Sequence, residues 1–93
     1  MRRLVLTTSF QRAYRKQVKK SRSLQAQIDD TLRQMEDDLF APALSTHKLS
    51  GNLAGLWASA CGYDCRIVFS LENDPDGQEV ILLIDLGTHD EVY

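Results

Sequence analysis

The chain has 93 residues, of which 43% are hydrophobic and 26% charged, and its formal net charge at pH 7 is −2. This length and composition fit one folded domain over residues 1–93 and exclude two independent hydrophobic cores. No window approaches the roughly 20 apolar residues that span a bilayer, and the apolar run after the basic start is too short for a signal peptide. We therefore expect a cytoplasmic protein that makes no contact with a membrane.

The charge is divided unevenly along the chain. Residues 1–22 contain eight basic residues and no acidic one, whereas the rest contains three basic residues and all thirteen acidic ones. Such asymmetry indicates either a polyanionic or acidic partner or a helix with one solvated basic face. The pattern alone leaves both readings open.

The first half of the chain predicts a strand followed by two helices. The short branched segment from Arg3 to Thr7 indicates a strand. Thr8 with Gln11 three residues later forms a capping-box pattern, and apolar residues then recur at helical spacing. The stretch KKSRS ends this basic helix, and Ser21 or Ser23 can cap a second amphipathic helix. Because so few residues join the two helices, we expect an antiparallel hairpin that packs over a sheet.

The second half predicts three more strands. APALSTHKLSGNLAG reads as a loop that carries His47 and Lys48. LWASAC and DCRIVFSL indicate strands two and three, and the turn NDPDG precedes EVILLIDL, strand four. The predicted order is therefore β-α-α-β-β-β in an α+β domain. Strands two to four form an antiparallel meander, strand one joins at one side, and the helix hairpin covers one face.

The two cysteines offer little chemistry. Cys61 and Cys65 are most simply two small, half-buried side chains in a reducing compartment. With only two histidines elsewhere in the chain, we expect neither a metal site nor a cofactor.

Four features together resemble the RelE/ParE superfamily of bacterial toxins, and within it the RelE- and YafQ-like ribosome-dependent mRNA interferases. They are the element order, HKLSGNLAGLW after the second helix, CRIVFSL in the third strand and GTHDEVY at the end. The resemblance covers essentially the whole chain. It implies the RelE-like fold and a toxin of a type II toxin–antitoxin system, with a cognate antitoxin as partner.

The activity that this resemblance implies is metal-independent cleavage of mRNA in the ribosomal A site, by attack of a ribose 2′-hydroxyl on the adjacent phosphate. Two alternatives stay open. One is a ParE-like toxin that inhibits gyrase by binding, and the other is an inactive homologue that only binds an antitoxin. Fold alone does not decide among them.

The resemblance also implies roles for individual residues. Arg66 matches the RelE-type arginine that stabilises the transition-state phosphate, and a surface ion pair with Asp64 or Asp85 is its alternative. His89 matches a YafQ-like histidine and is the implied acid, while His47 matches another and is a candidate base. A solvated loop histidine is the alternative for each of them.

Further matches complete the implied site. Asp64 corresponds to a YafQ-like aspartate that orients a histidine or acts as base, and an aspartate that caps a turn is its alternative. Tyr93 corresponds to the closing aromatic of the family motif, and a frayed chain end is its alternative. Lys48, beside His47, is the implied RNA-backbone contact. We expect the basic residues of the first helix to bind RNA as well: Arg15, Lys16, Lys19 and Lys20.

The chain also departs from the family pattern. Cys61 stands where YafQ-like members have a further histidine, and Ser59 replaces an acidic residue nearby. Acid–base chemistry would therefore depend on His47 and His89.

Overall fold

A computed structural model describes residues 1–93. Its helices are α1 (Thr8–Val18), α2 (Arg22–Asp37) and the short α3 (His89–Val92). Its strands are β1 (Arg3–Leu6), β2 (His47–Lys48), β3 (Trp57–Ala60), β4 (Cys65–Asn73) and β5 (Glu79–Thr88). Single 3-10 turns at Pro42–Leu44 and Gly51–Leu53 lie on either side of β2.

The five strands form one mixed sheet in the order β1-β5-β4-β3-β2. Strands β2 to β5 pair antiparallel with their sequence neighbours, whereas β1 pairs parallel to β5. The predicted α+β fold is confirmed, and β3, β4 and β5 correspond to the predicted meander. The whole sheet is not a strict meander, because the first strand, β1, pairs in parallel with the last strand, β5. The two-residue β2 and the helix α3 were not predicted.

Both long helices begin at a hydroxyl cap. Thr7, and not Thr8, caps α1, because its Oγ1 accepts the Phe10 N–H at 3.1 Å. The same hydroxyl donates to the Leu83 carbonyl of β5 at 2.8 Å, so the cap also ties α1 to the sheet. For α2, Ser21 is the cap of the two candidates, and its Oγ accepts the Leu24 N–H at 3.3 Å.

The hydrophobic core lies between the helix hairpin and one face of the sheet. Its largest members include Phe10, Ile28 and Met35 from the helices and Phe69 from β4. Along β4, Cys65, Ile67 and Phe69 belong to this core. Since side chains alternate across a strand, Arg66 and Val68 point to the opposite face. That opposite face carries Arg66 and, from the edge strand β2, His47.

The β3–β4 turn is closed by a disulfide between Cys61 and Cys65. The Cys61 N–H donates to the Cys65 carbonyl at 2.8 Å, which holds the two Cα atoms 4.8 Å apart, within the range of disulfides. The expectation of two half-buried, separate thiols is wrong, because both residues are buried and neither cysteine is free. None of the helices combines the length and apolar character needed to cross a membrane.

Candidate functional site

Arg66 lies on the face of the sheet opposite the helices. It pairs in register with Ala60 of β3 and Gly87 of β5, so small residues flank it on both sides. Its Nη1 donates to the Cys65 carbonyl at 2.9 Å and to the Tyr63 carbonyl at 3.4 Å. None of the ion pairs in the structure includes Arg66, so neither Asp64 nor Asp85 neutralises it. The guanidinium is therefore a half-buried cation that can take an anion.

Tyr93 lies close to Arg66. Partial burial raises the pKa of the Tyr93 phenol, and the positive charge of Arg66 opposes that rise. The Tyr93 ring stands edge-on to the His89 ring, with 4.5 Å between their centroids. Tyr93 also lines a concave surface of about 320 Å³, together with Leu49, Ser50, Asn52 and Leu53. Tyr93 thus borders this concavity and lies close to Arg66.

His89 opens α3 and is held by Asp64. The His89 backbone N–H donates to Asp64 Oδ1 at 3.4 Å, across the end of the sheet. The His89 side chain is 60% exposed, and its Nδ1 lies 3.8 Å from Asp90 Oδ1. The structure therefore brings four predicted site residues together at one end of the sheet: Asp64, Arg66, His89 and Tyr93.

His47 approaches the same face from the edge strand β2. His47 pairs with Ala58 of β3, and Ala58 pairs with Val68 of β4. Because Val68 and Arg66 point to the same face of β4, His47 also lies on that face. Two strand spacings and one two-residue step separate the Cα atoms of His47 and Arg66, or about 12 Å. Small residues, Ala58 and Ala60, form the sheet between them. His47 and Arg66 do not touch, but they border the same surface.

The hydrogen bond of His47 fixes its tautomer. Its Nδ1 lies 2.9 Å from the Ser45 carbonyl oxygen, which can only accept a hydrogen bond. Nδ1 must therefore carry the proton, which leaves Nε2 with a free lone pair in the neutral ring. The ring is exposed, so Nε2 can accept a proton from a bound molecule.

The residues predicted to bind RNA lie in two different parts of the structure. Lys48 follows His47 in the strand and points to the other face, where its Nζ lies 5.4 Å from the centroid of the Trp57 ring. On α1, Arg15, Lys19 and Lys20 are exposed and form no ion pair, whereas Lys16 Nζ lies 3.2 Å from Glu91 Oε2. The structure thus places Lys48 on the face opposite Arg66, and it places Lys16 of α1 next to α3.

Glu91 is the residue of this region that the sequence interpretation missed. Thr88 and Glu91 form a capping box at the start of α3, and Glu91 also bonds to Lys16 and Gln17 of α1. The backbone hydrogen bond from Thr88, followed by that from Lys16, lowers the pKa of the Glu91 carboxyl to about 2. The Thr-x-x-Glu spacing in GTHDEVY was the available signal.

The two departures from the family pattern are structural residues here. Cys61 is buried in the disulfide, and the buried Ser59 hydroxyl shares a 2.7 Å hydrogen bond with Thr46. Neither can exchange protons with a ligand on the opposite face. No group of three or more His, Cys, Asp or Glu side chains is arranged to hold a metal ion.

No family model and no curated protein matches the sequence. Solved structures do match it. The solution structure of a conserved hypothetical protein from Helicobacter pylori is 25% identical, with a TM-score of 0.75 and 100% of both chains covered. The YoeB/ParE toxin from Agrobacterium tumefaciens is 22% identical, with a TM-score of 0.75 over 94% of this chain and 98% of that one. In the E. coli DinJ–YafQ toxin–antitoxin complex, the matching chain is 11% identical, with a TM-score of 0.74 over 99% of this chain and 97% of that one.

Proposed function

We propose that this chain, whose fold is that of the RelE/ParE superfamily of toxins, is the toxin of a type II toxin–antitoxin system and cleaves mRNA on the ribosome. The toxin part rests on its neighbours, a YoeB/ParE toxin and a chain of the DinJ–YafQ toxin–antitoxin complex. The nuclease part rests on one observation above all. Arg66 is a cation without an acidic partner, on a face that also presents His47 and Tyr93.

The proposed reaction is attack of a ribose 2′-oxygen on the adjacent phosphorus. The 2′-hydroxyl loses its proton to a base, a bond forms between the 2′-oxygen and phosphorus, and the bond from phosphorus to the 5′-oxygen breaks. The departing 5′-oxygen takes a proton from an acid. Negative charge grows on the phosphate oxygens in between, and a fixed cation stabilises it.

Arg66 supplies that cation. Its guanidinium is oriented by two backbone carbonyls and keeps other N–H groups free, so it can donate two parallel hydrogen bonds to a phosphate. The small residue beside it on β3, Ala60, leaves room for the sugar–phosphate chain on that side.

His47 acts as the base and His89 as the acid in this proposal. His47 is suited to the base role because its Nε2 lone pair is free. It borders the same surface as Arg66, with about 12 Å between their Cα atoms. His89 lies on the opposite side of Arg66, beside Tyr93, where a protonated ring can reach the leaving oxygen. Asp64 holds the backbone of His89 and thereby orients it. Tyr93 stacks on an unpaired base next to the cut.

The basic residues of α1 supply the contacts to ribosomal or messenger RNA phosphates. Arg15, Lys19 and Lys20 are exposed and form no ion pair, so they are available to replace counterions along an RNA backbone. An acidic segment of the cognate antitoxin is the other ligand that this side of the helix fits.

The test is a cleavage assay with purified protein and mRNA, with and without ribosomes. We expect cleavage only when the mRNA is on the ribosome, and a loss of roughly 100-fold or more in Arg66→Ala, as for removal of one transition-state donor. Arg33→Ala is the matched control, since it removes an arginine from the exposed side of α2. Cleavage by Arg66→Ala at the wild-type rate would contradict the proposal. So would inhibition of gyrase by a wild-type protein that leaves mRNA intact.

A further inference from the structure

One carboxylate, that of Glu91, connects α3 to the rest of the molecule. Its Oε1 accepts the Thr88 backbone N–H at 2.9 Å and the Gln17 amide N–H at 3.2 Å. Its Oε2 accepts from Lys16 Nζ at 3.2 Å, and the Glu91 N–H donates back to Thr88 Oγ1 at 3.3 Å. Four hydrogen bonds therefore join this residue to the end of β5 and to α1.

The helix that Glu91 holds has one other hydrogen bond to the rest of the molecule, from the His89 N–H to Asp64 Oδ1 at 3.4 Å. It spans four residues, none of them buried, and a single helical turn is unstable on its own. Yet it carries His89 at its start and is followed directly by Tyr93. The positions of both rings therefore depend on how α3 is attached.

The surroundings of Glu91 are fitted to it. Gln17 is only 5% exposed, and its one side-chain hydrogen bond goes to Glu91, so a buried amide on α1 is used to hold this carboxylate. Under the carboxylate lies Gly87, where a Cβ would come within 3.1 Å of Glu91 Cβ. A side chain at position 87 would push Glu91 away, so glycine permits this close approach.

We propose that Glu91 is a positioning residue, which sets the placement of His89 and Tyr93 beside Arg66 by fastening α3 to α1 and β5. Its catalytic relevance rests on the proposed nuclease function. Glu91 does not contact the reacting atoms, and its carboxylate oxygens are occupied by Thr88, Gln17 and Lys16. It acts through the two rings that α3 carries.

The test compares Glu91→Ala with Glu91→Gln. Alanine removes every side-chain bond, whereas glutamine keeps an oxygen that can accept the Thr88 N–H, as glutamine does in other capping boxes. Glu72→Ala is the matched control, because Glu72 is exposed near the far end of β4 and forms no side-chain hydrogen bond or ion pair. Two quantities are measured: the NMR signals of the His89 ring, which sense the Tyr93 ring 4.5 Å away, and kcat and KM for cleavage of ribosome-bound mRNA.

In Glu91→Ala we expect the His89 ring signals to move toward those of a solvated histidine and kcat to fall about tenfold, equivalent to about 1.4 kcal/mol. KM should stay within a few-fold, because the proposed RNA contacts Arg15, Lys19 and Lys20 form no ion pair with Glu91. Glu91→Gln should restore most of kcat and return the His89 ring signals most of the way to their wild-type positions. Glu72→Ala should resemble the wild type in both measurements.

Unchanged ring signals in Glu91→Ala would overturn the inference, as would altered signals with wild-type turnover or no recovery in Glu91→Gln. The ring signals are recorded without ribosome or RNA, so they test the placement of His89 and Tyr93 separately from the activity. A wild-type protein that cleaves nothing would contradict the proposed function, while the ring signals would still decide whether Glu91 holds α3.

Discussion

Replacing Gly62 by alanine should destabilise the turn that carries Asp64 toward Arg66. Gly62 has a φ of +86°, a left-handed conformation that costs a residue with a Cβ roughly 1–2 kcal/mol. A Cβ there would also lie 2.3 Å from Gln27 Nε2. Since Gln27 is exposed and this atom is the end of a flexible side chain, it can move aside at a smaller cost. We expect a total loss of about 2 kcal/mol, or roughly 10 °C in Tm for a domain of this size.

Gly77→Ala is the matched control for this prediction. Gly77 has a φ of +82° in the β4–β5 turn, and a Cβ there would meet nothing within 4 Å. The free energy of unfolding lost in Gly77→Ala should therefore reflect backbone strain alone, about 1 kcal/mol. Thermal unfolding followed by circular dichroism gives the loss of stability in each variant. Adding Gln27→Ala to Gly62→Ala should remove the part of the loss by which Gly62→Ala exceeds Gly77→Ala. Equal Tm losses in the two glycine variants would refute the role given to Gln27.

Three further predictions concern the tail and α1. The pKa of Glu91 is lowered from 4.5 to about 2 in the folded protein, so its stabilising contribution is present above about pH 4.5 and is lost as the pH falls toward 2. In urea unfolding, the stability gap between wild type and Glu91→Gln should therefore narrow between pH 6 and pH 3. Reversing Arg15, Lys19 and Lys20 to glutamate should weaken ribosome association and flatten its salt dependence in binding assays, because fewer counterions are released. Deleting residues 90–93 should abolish cleavage while the circular dichroism spectrum stays that of a folded protein, since none of α3 is buried.

The strands and helices with local patterns could be predicted from the sequence. The spacing of apolar residues marks α1 and α2, and the apolar runs mark β3, β4 and β5. Pairing between strands that are far apart in the chain has no local sequence pattern, so it could not be predicted in this way. The strand β2 has only two residues, and β1 pairs with β5 from the opposite end of the chain. Thr7 was missed as the cap of α1 because its hydroxyl is fixed by Leu83, far along the sequence.

The candidate site was located by its resemblance to known motifs, and the structure adds where each side chain points. Asp64, Arg66, His89 and Tyr93 meet at one end of the sheet, although their roles stay predictions. Strand alternation places Lys48 and His47 on opposite faces, which could have been inferred had β2 been recognised. The Thr-x-x-Glu spacing was visible in the sequence, but nothing there showed that Gln17 and Lys16 would bind Glu91.

The chemistry of the cut RNA ends tests the central claim most directly. The measurement is mass spectrometry of both fragments after wild-type protein has acted on a ribosome–mRNA complex, with a parallel mRNA that carries a 2′-deoxyribose on the 5′ side of the cut. Attack by the 2′-oxygen predicts a 2′,3′-cyclic phosphate or its hydrolysis product on the upstream fragment, a 5′-hydroxyl on the downstream fragment, and no cleavage of the deoxy substrate. A 5′-phosphate on the downstream fragment, or undiminished cleavage of the deoxy substrate, would contradict the roles assigned to His47, Arg66 and His89.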